Sequence, residues 1–319
     1  MNMKKGKLVI SIDYEMLWGL TDSNISASRY IELKQVPEVV THLLNLFKKY
    51  EIHATWASVG ALTYNNLDEM KKEMTNICRN LLLNQRSNYY LLCEKKLNGN
   101  EQTLFDPESF SKIEQTPFQQ IECHSFLHIF SDFTSVELFK TDTCLHINRL
   151  KKLGFKTPEF YVFPRNQSTL PFLNILKKFG FNSFRGYDSV LYSDEKIFKR
   201  ILRRIDSIFP LVERNSKIIY REDCELFEFK GSRFLRTFKN TNSLSAKLHY
   251  AKLRLGLKKS IQQGKMYHLW FHPHNFTINQ ANLLLFEDFL KSIQEYVKID
   301  KLVSLNTNEA LTSFKINSK

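Results

Sequence analysis

The sequence predicts an α/β fold in which a parallel sheet curls into a barrel, on three observations. Apolar, β-branched runs alternate with helix-period segments through most of the chain, the pattern of parallel strands joined by crossover helices. About eight short strands of this kind can be counted, too many for two independent domains but natural for one barrel. The 319 residues, 43% of them hydrophobic, supply a full core for one large domain spanning 1–319.

The first strand is KLVISI (7–12), and VPEVVTHLLNLFKKY (36–50) reads as the helix after it. Pro37 suits a first helical turn, and Val36, Val40, Leu43, Leu44 and Phe47 share one face. HATWASV (53–59) is the second strand. Residues 66–118 are charged and lack strand alternation, so a mostly helical insertion is expected there. QIEC (120–123), FYVF (160–163), SFRG (183–186), ELFEF (225–229), YHLWF (267–271) and LVSL (302–305) supply the remaining strands. Between the first two of these, VELFKTDTCLHINRLKKLG (136–154) reads as a helix stopped by Gly154. Residues 194–264 form a second insertion, strongly basic and expected to be irregular. No internal repeat or low-complexity tract is present.

Lys and Arg outnumber Asp and Glu by 46 to 33, a net charge of +13 that favours anionic partners. No zinc finger, aromatic RNA-binding pattern or helix-turn-helix signature accompanies it, so nucleic acid is not expected. The five cysteines (Cys78, Cys93, Cys123, Cys144, Cys224) contain no Cys-x-x-Cys and suggest neither a disulfide framework nor a zinc ribbon. Reduced cytosol fits them. The start MNMKKGKLVISIDYE is basic, but its apolar run is broken by Asp13 and Glu15 and no cleavage site follows, so export is not expected. No run of apolar residues is long enough to span a bilayer. The expected location is the cytoplasm, with any membrane contact peripheral, at the inner face. Two stretches, 196–209 and 246–259, place Lys and Arg among apolar residues at near-helical spacing. They read either as solvated faces over a core-facing stripe or as a surface for anionic lipid.

In a parallel barrel the loops leaving the C-terminal strand ends meet over one mouth, and chemistry gathers there. The first strand ends with Asp13 and Glu15, the third with Glu122, His124 and His128, the fourth with VFPRNQ, and the strand near 270 with HLWFHPHNF. On spacing alone, His124 and His128 could converge on one ion from a helix face, cap a turn or sit in the core. Asp13 and Glu15, as a carboxylate pair at a strand end, lean toward function.

These residues carry a resemblance. An acidic pair after the first strand, an ATW strand, a His-x-x-x-His segment, a Pro-containing strand end and LWFH at 269–272 together resemble the polysaccharide deacetylases of carbohydrate esterase family four, the NodB-homology domain, over roughly residues 7 to 310. The resemblance implies an irregular (β/α) barrel of about seven parallel strands, and metal-dependent removal of an acyl group from a sugar. Asp13 then corresponds to the catalytic base, and Glu15, His124 and His128 to the metal ligands. His272 corresponds to the general acid. A backbone N–H near Arg165 or Asn166 would hold the oxyanion, and Trp18 is the tryptophan expected against a sugar face. The metal expected from a ligand set of this borderline softness is zinc.

The family carries an arginine before the proline of its third motif, paired to the base, whereas this chain has Phe163-Pro164-Arg165. Arg165 is then expected to reach Asp13 from the other side or to bind an anionic part of the substrate. Arg185 is the second candidate for the partner. No counterpart of the family's Asp/Trp motif is evident, although Asp188 lies in a suitable place. The substrate expected is an N-acylated sugar, nucleotide- or lipid-linked, used in surface polysaccharide biosynthesis, with acetyl and formyl chemically equivalent choices. The competing reading is a non-catalytic basic protein on the same fold that contacts membrane or nucleic acid. Competent residues at every expected catalytic position weigh against it.

Overall fold

The computed structural model describes residues 5–20, 25–74, 100–131, 134–186, 216–231 and 233–317. The strands are β1 (Gly6–Tyr14), β2 (Ala54–Ser58), β3 (Gln119–Cys123), β4 (Phe160–Val162), β5 (Ser183–Gly186), β6 (Ile218–Arg221), β7 (Leu226–Lys230), β8 (Arg233–Phe234), β9 (Met266–Phe271) and β10 (Leu302–Leu305). The helices are α1 (Ala27–Leu33), α2 (Val36–Tyr50), α3 (Leu67–Glu73), α4 (Pro107–Gln115), α5 (Val136–Lys152), α6 (Leu170–Lys178), α7 (Leu244–Gln262), α8 (Ala281–Lys298) and α9 (Thr307–Asn317).

The sheet runs β6-β7-β5-β4-β3-β2-β1-β9-β8, with β10 added beside the first half of β1. Among the described strands every pairing is parallel except that of β6 with β7. This is the α/β architecture the sequence predicts. Hydrogen bonding leaves the sheet open between β7 and β8. The two are close in the chain, however, with 227–230 against β5 and 233–234 against β9, and the parallel sheet curls round on itself.

β1 is central because it is buried along almost its whole length, its outer face under helices and its inner face within the curled sheet. Val9, Ala57, Phe160, Val162, Phe229 and Met266 form the inner apolar cluster, and Ala310 and Leu311 of α9 close it. The Thr307 N–H donates to Thr55 Oγ1 at 2.9 Å, fixing the start of α9 beside the start of β2. α2 buries Val36, Val40, Leu43, Leu44 and Phe47, the face expected, and ends on Glu51 in the left-handed region. α5 starts on Ser135, whose side chain accepts from the Leu138 N–H, and the chain leaves it through Gly154 at φ 81°.

Within 66–118, the described part forms α3, a short 3-10 turn and α4, and residues 75–99 lie outside the described residues. In the basic stretch 194–264, residues 194–215 and 232 lie outside them too, including the segment 196–209. The remainder is regular rather than irregular: it holds β6, β7, β8 and the 19-residue helix α7. In α7, Ala246, His249, Tyr250, Leu253 and Leu257 recur every three or four residues and are buried, so the 246–259 stretch turns its apolar side to its own domain. No described helix is long and apolar enough to cross a membrane.

Candidate active site

Asp13 lies one residue before the end of β1, in register with Ala57 of the inner cluster, and therefore faces the inside of the sheet at its C-terminal edge. The chain then turns sharply. Glu15 follows the strand, Met16 takes a φ of 46°, and Gly19 sits so close that a Cβ there would overlap Glu15 Oε1. Only glycine lets this carboxylate occupy its place.

His124 continues the pairing of β3, its N–H donating to Ser58 O at 3.0 Å. The segment to His128 is not helical, so the two histidines do not converge by sharing a helix face. They converge because Ser125 (φ 66°) and His128 (φ 54°) both adopt left-handed backbone and fold the chain into a tight turn. Asp142, from α5, holds that turn: its carboxylate accepts from Ser125 Oγ (2.8 Å), the Phe126 N–H (2.8 Å) and the Leu127 N–H (2.9 Å). Burial raises this carboxyl to about 6 against those three donors. The Gly60 and Ala61 N–H groups donate to the carbonyls of Ser125 and Phe126, and a Cβ on Gly60 would press on Phe126 at 2.7 Å and His146 at 2.8 Å.

The result is a buried cluster in which ligand atoms of Glu15, His124 and His128 lie within 4.8 Å of one another. His124 Nε2 is 3.1 Å and His128 Nε2 2.9 Å from the same oxygen, Glu15 Oε2. His124 Nδ1 donates to Val162 O at 2.8 Å, which aims Nε2 at the carboxylate. That is the arrangement by which a backbone carbonyl sets the tautomer of a metal-ligating histidine. His128 Nδ1 is buried with no hydrogen-bond partner among the described residues. Burial pushes the Glu15 carboxyl up, but the imidazoles of His272 and His128 outweigh it and hold it well below the ordinary range. Burial, with the neighbouring His124 and His272, lowers His128 against the pull of Glu15, whereas for His124 the neighbouring Glu15 and Asp13 overcome burial and raise it. Two ionised carboxylates, Asp13 and Glu15, thus share a buried site with one fixed guanidinium. A divalent cation held by two imidazoles and one carboxylate fits that charge and donor set.

The guanidinium belongs to Arg185 of β5. Nη1 donates to Asp13 Oδ1 at 2.7 Å and Nη2 to Oδ2 at 2.5 Å, a two-point contact. Nη1 also reaches Ser11 Oγ (3.1 Å), and Nε donates to Asn166 Oδ1 (3.0 Å). Its face lies 4.5 Å over Trp270. Burial raises the Asp13 carboxyl, yet Arg185 leaves it below the usual value. Of the two candidate partners, Arg185 therefore holds Asp13. Arg165 does not, because the turn after β4 sends its side chain outward, where it is exposed and stacks 4.0 Å over Phe130.

Two other expectations are corrected. Trp18 does not offer a sugar-binding face: it is fully buried, and its indole N–H donates to Leu104 O at 2.8 Å, so the described part of the 66–118 insertion covers it. Asn166 is present at the site, but its backbone N–H donates to Phe163 O at 2.8 Å and is committed there; its contribution is the carboxamide on Arg185. Glu122, two residues before His124, takes no part in the cluster, because its carboxylate accepts the N–H groups of Glu159 and Phe160 at the start of β4. Asp188 lies outside the described residues.

His272 follows β9, its Nε2 3.7 Å from Asp13 Oδ2 and 3.5 Å from Glu15 Oε1. Its side chain is 20% exposed against 4% for Asp13, so it is the titratable group of the cluster that meets the mouth. It stacks on His274 at 5.0 Å, and burial lowers His274 to about 3, which keeps that ring neutral. Asp142, Ser11 and Gly19 were not among the residues read from the sequence. A lone Asp in mid-helix, a Ser in a strand and a Gly after it carry no motif.

The curled parallel sheet thus brings together a strand-end Asp pinned by arginine, a Glu-His-His cluster with the donor set of a divalent metal site, and a more exposed histidine. The model of the polysaccharide deacetylase family matches residues 29–184. His124 and His128 fall within the match; Asp13, Glu15 and His272 lie outside it and are joined to them by the fold. A protein from Mycobacterium smegmatis assigned as a polysaccharide deacetylase superimposes with a TM-score of 0.60 at 14% identity, over 100% of this chain and 93% of its own. Another so assigned, from Pseudomonas aeruginosa PAO1, gives 0.56 at 12%, over 95% and 88%. An α-amylase from Thermotoga maritima gives 0.60 at 11%, over 97% and 74%. At such identities the likeness is one of fold. No curated protein matches the chain by sequence.

Proposed function

We propose that the protein is a metal-dependent carbohydrate deacetylase that removes the N-acyl group, acetyl in our reading, from an amino sugar of a glycan precursor. The observation that carries this is the convergence of Glu15, His124 and His128 beside Asp13 and His272. A divalent ion, zinc in our reading, would be held by those three ligands and, when bound, supplies Lewis-acid polarisation of the acyl carbonyl and of water. Asp13, kept ionised and oriented by Arg185, takes the proton of the attacking water. His272, at the mouth, gives a proton to the departing amine, since an amide nitrogen leaves poorly unless protonated. In our reading a backbone N–H at the turn after β4, near Arg165, would stabilise the oxyanion.

The net charge of +13 supports a substrate that carries phosphate, as a nucleotide- or lipid-linked sugar does. Cys123, Cys144 and Cys224 are free thiols, which supports a reducing cytoplasm as the place of reaction, with peripheral contact at the inner membrane face. We assign the reaction to surface polysaccharide biosynthesis on this chemistry. The test is acetate release from N-acetylated amino sugars by the purified protein. Asp13→Asn and His272→Ala should each lower turnover on the order of 10²-fold or more while keeping fold and metal. Wild-type turnover in either variant would remove that residue from the mechanism.

A further inference from the structure

Ser11 interrupts the apolar run of β1 two residues before Asp13, and it is fully buried. Alternation along the strand puts it on the inner face with Asp13 and with Val9 of the inner cluster. His268, on β9, is in register with Val9 and is fully buried as well. Its Nε2 lies 2.8 Å from Ser11 Oγ. On its other side Ser11 Oγ is 3.1 Å from Arg185 Nη1, the nitrogen that also holds Asp13 Oδ1. Neither Ser11 nor His268 has exposed surface with which to meet a substrate, so any part they play in the chemistry passes through Arg185.

The direction of each bond in this chain is set from the arginine end. A guanidinium only donates, so Ser11 Oγ accepts from Arg185 and has its single hydrogen left for His268 Nε2. That nitrogen is then the acceptor, and the ring proton sits on Nδ1. The backbone of Lys230, the last residue of β7, hydrogen-bonds the ring and favours a proton there. Burial, with Arg185 nearby, nevertheless lowers His268 to about 3, so the ring is neutral and able to accept. The chain from Lys230 through His268, Ser11 and Arg185 to Asp13 links β7, β9, β1 and β5 inside the sheet, and it joins β7 to β9, which the described strand pairings do not. The Arg185 fork is thereby held in its own plane by Asp13, Ser11 and Asn166, with Trp270 against its face at 4.5 Å.

We propose that Ser11 and His268 are positioning residues for the base: His268 keeps the Ser11 hydroxyl turned as an acceptor, and Ser11 sets the rotation of the Arg185 fork on Asp13. This rests on the deacetylase reading above, in which Asp13 takes the proton of the attacking water. A serine and a histidine kept only to fill the core would be replaceable, because removing both partners of a buried hydrogen bond for apolar groups of similar shape is nearly neutral. A pair that orients the base shows itself in turnover instead, since a misplacement of about 1 Å at a reacting group can cost on the order of 10²-fold.

The experiment measures kcat, KM and zinc affinity for Ser11→Ala, His268→Leu, His268→Gln and the double variant of Ser11→Ala with His268→Leu, using an N-acetylated amino sugar oligomer. Ser11→Ala and His268→Leu should each lower kcat about tenfold with KM and zinc affinity unchanged. His268→Gln should recover most of that loss, because its side-chain carbonyl can accept from Ser11. The double variant should be no slower than either single one, since His268 acts through Ser11. Wild-type kcat in Ser11→Ala, or losses that multiply in the double variant, overturn the proposal. Should His268→Leu fail to fold, the remaining pair decides: a loss of kcat in Ser11→Ala with near-wild-type kcat in His268→Gln supports it, and equal losses overturn it. If wild type releases no acetate, the deacetylase reading fails, and crystal structures of wild type and Ser11→Ala still decide the positioning. An Arg185 fork turned off one oxygen of Asp13 in the variant supports it, and an unchanged two-point contact overturns it.

Discussion

Arg185, from the fifth strand, grips both carboxylate oxygens of Asp13, from the first, at 2.7 and 2.5 Å. Both side chains are almost wholly buried. A pair of this kind contributes little net stability when intact, since desolvation offsets attraction, but removing one partner strands a buried charge. Arg185→Gln should therefore destabilise the fold by about 3–5 kcal/mol and lower turnover more than Arg185→Lys does. Denaturant unfolding read beside kcat checks this; a fully stable, fully active Arg185→Gln would show that the pair does not orient the base.

Gly19 gives a sharper test of the metal cluster because it touches no substrate in this account. A methyl group at position 19 would overlap Glu15 Oε1 and push the carboxylate from the histidines. Gly19→Ala is expected to keep the fold and lose metal affinity by about 10- to 100-fold, the range for disturbing a ligand's support. Calorimetric titration with zinc measures it, and wild-type affinity would mean that Glu15 is not a ligand.

Asp142 supports the same cluster from beneath. Without its carboxylate the Phe126 and Leu127 N–H groups and Ser125 Oγ lose their acceptor, and the turn that keeps Ser125 and His128 in left-handed backbone is left to bonds such as those from Gly60 and Ala61. Asp142→Ala should reduce zinc affinity and also lower the unfolding midpoint, by the roughly 1–3 kcal/mol of each stranded buried donor. Loss of stability with unchanged zinc affinity would separate the turn from the site.

Glu122 sets a pH dependence away from the chemistry. Burial raises its carboxyl from an ordinary 4.5 to about 8, so the folded state holds a proton that the unfolded chain releases. Stability from this group is then full below about pH 4.5 and declines as pH rises toward 8. Glu122→Gln should flatten that decline, seen in urea unfolding at pH 5, 7 and 9. An identical decline in wild type and variant would assign it to other groups.

What was legible in the sequence follows from how local each feature is. The strands that carry Asp13, His124 and His272 announce themselves by apolar runs, and a barrel brings their ends together whatever the loops do. β6 and β8 were not legible: β6 is an antiparallel edge strand with no fully buried position, and β8 is only two residues long. Arg185 could be recognised as a candidate but not chosen over Arg165, because register across five strands decides which guanidinium reaches Asp13. Trp18 was misread for a related reason: a tryptophan after the first strand looks like cleft lining until Leu104, from a distant insertion, covers it. Asp142 left no trace, since its role exists only once α5 packs under the His124–His128 turn.

The central claim is that a metal held by Glu15, His124 and His128 supports hydrolysis. Its most direct test is acetate release by chelator-stripped protein as zinc is added back, with metal content measured in parallel. The account predicts no release without metal, recovery complete at one equivalent per chain, and neither binding nor recovery in His124→Ala. Full activity in the stripped protein, or equal metal content in His124→Ala and wild type, would contradict it.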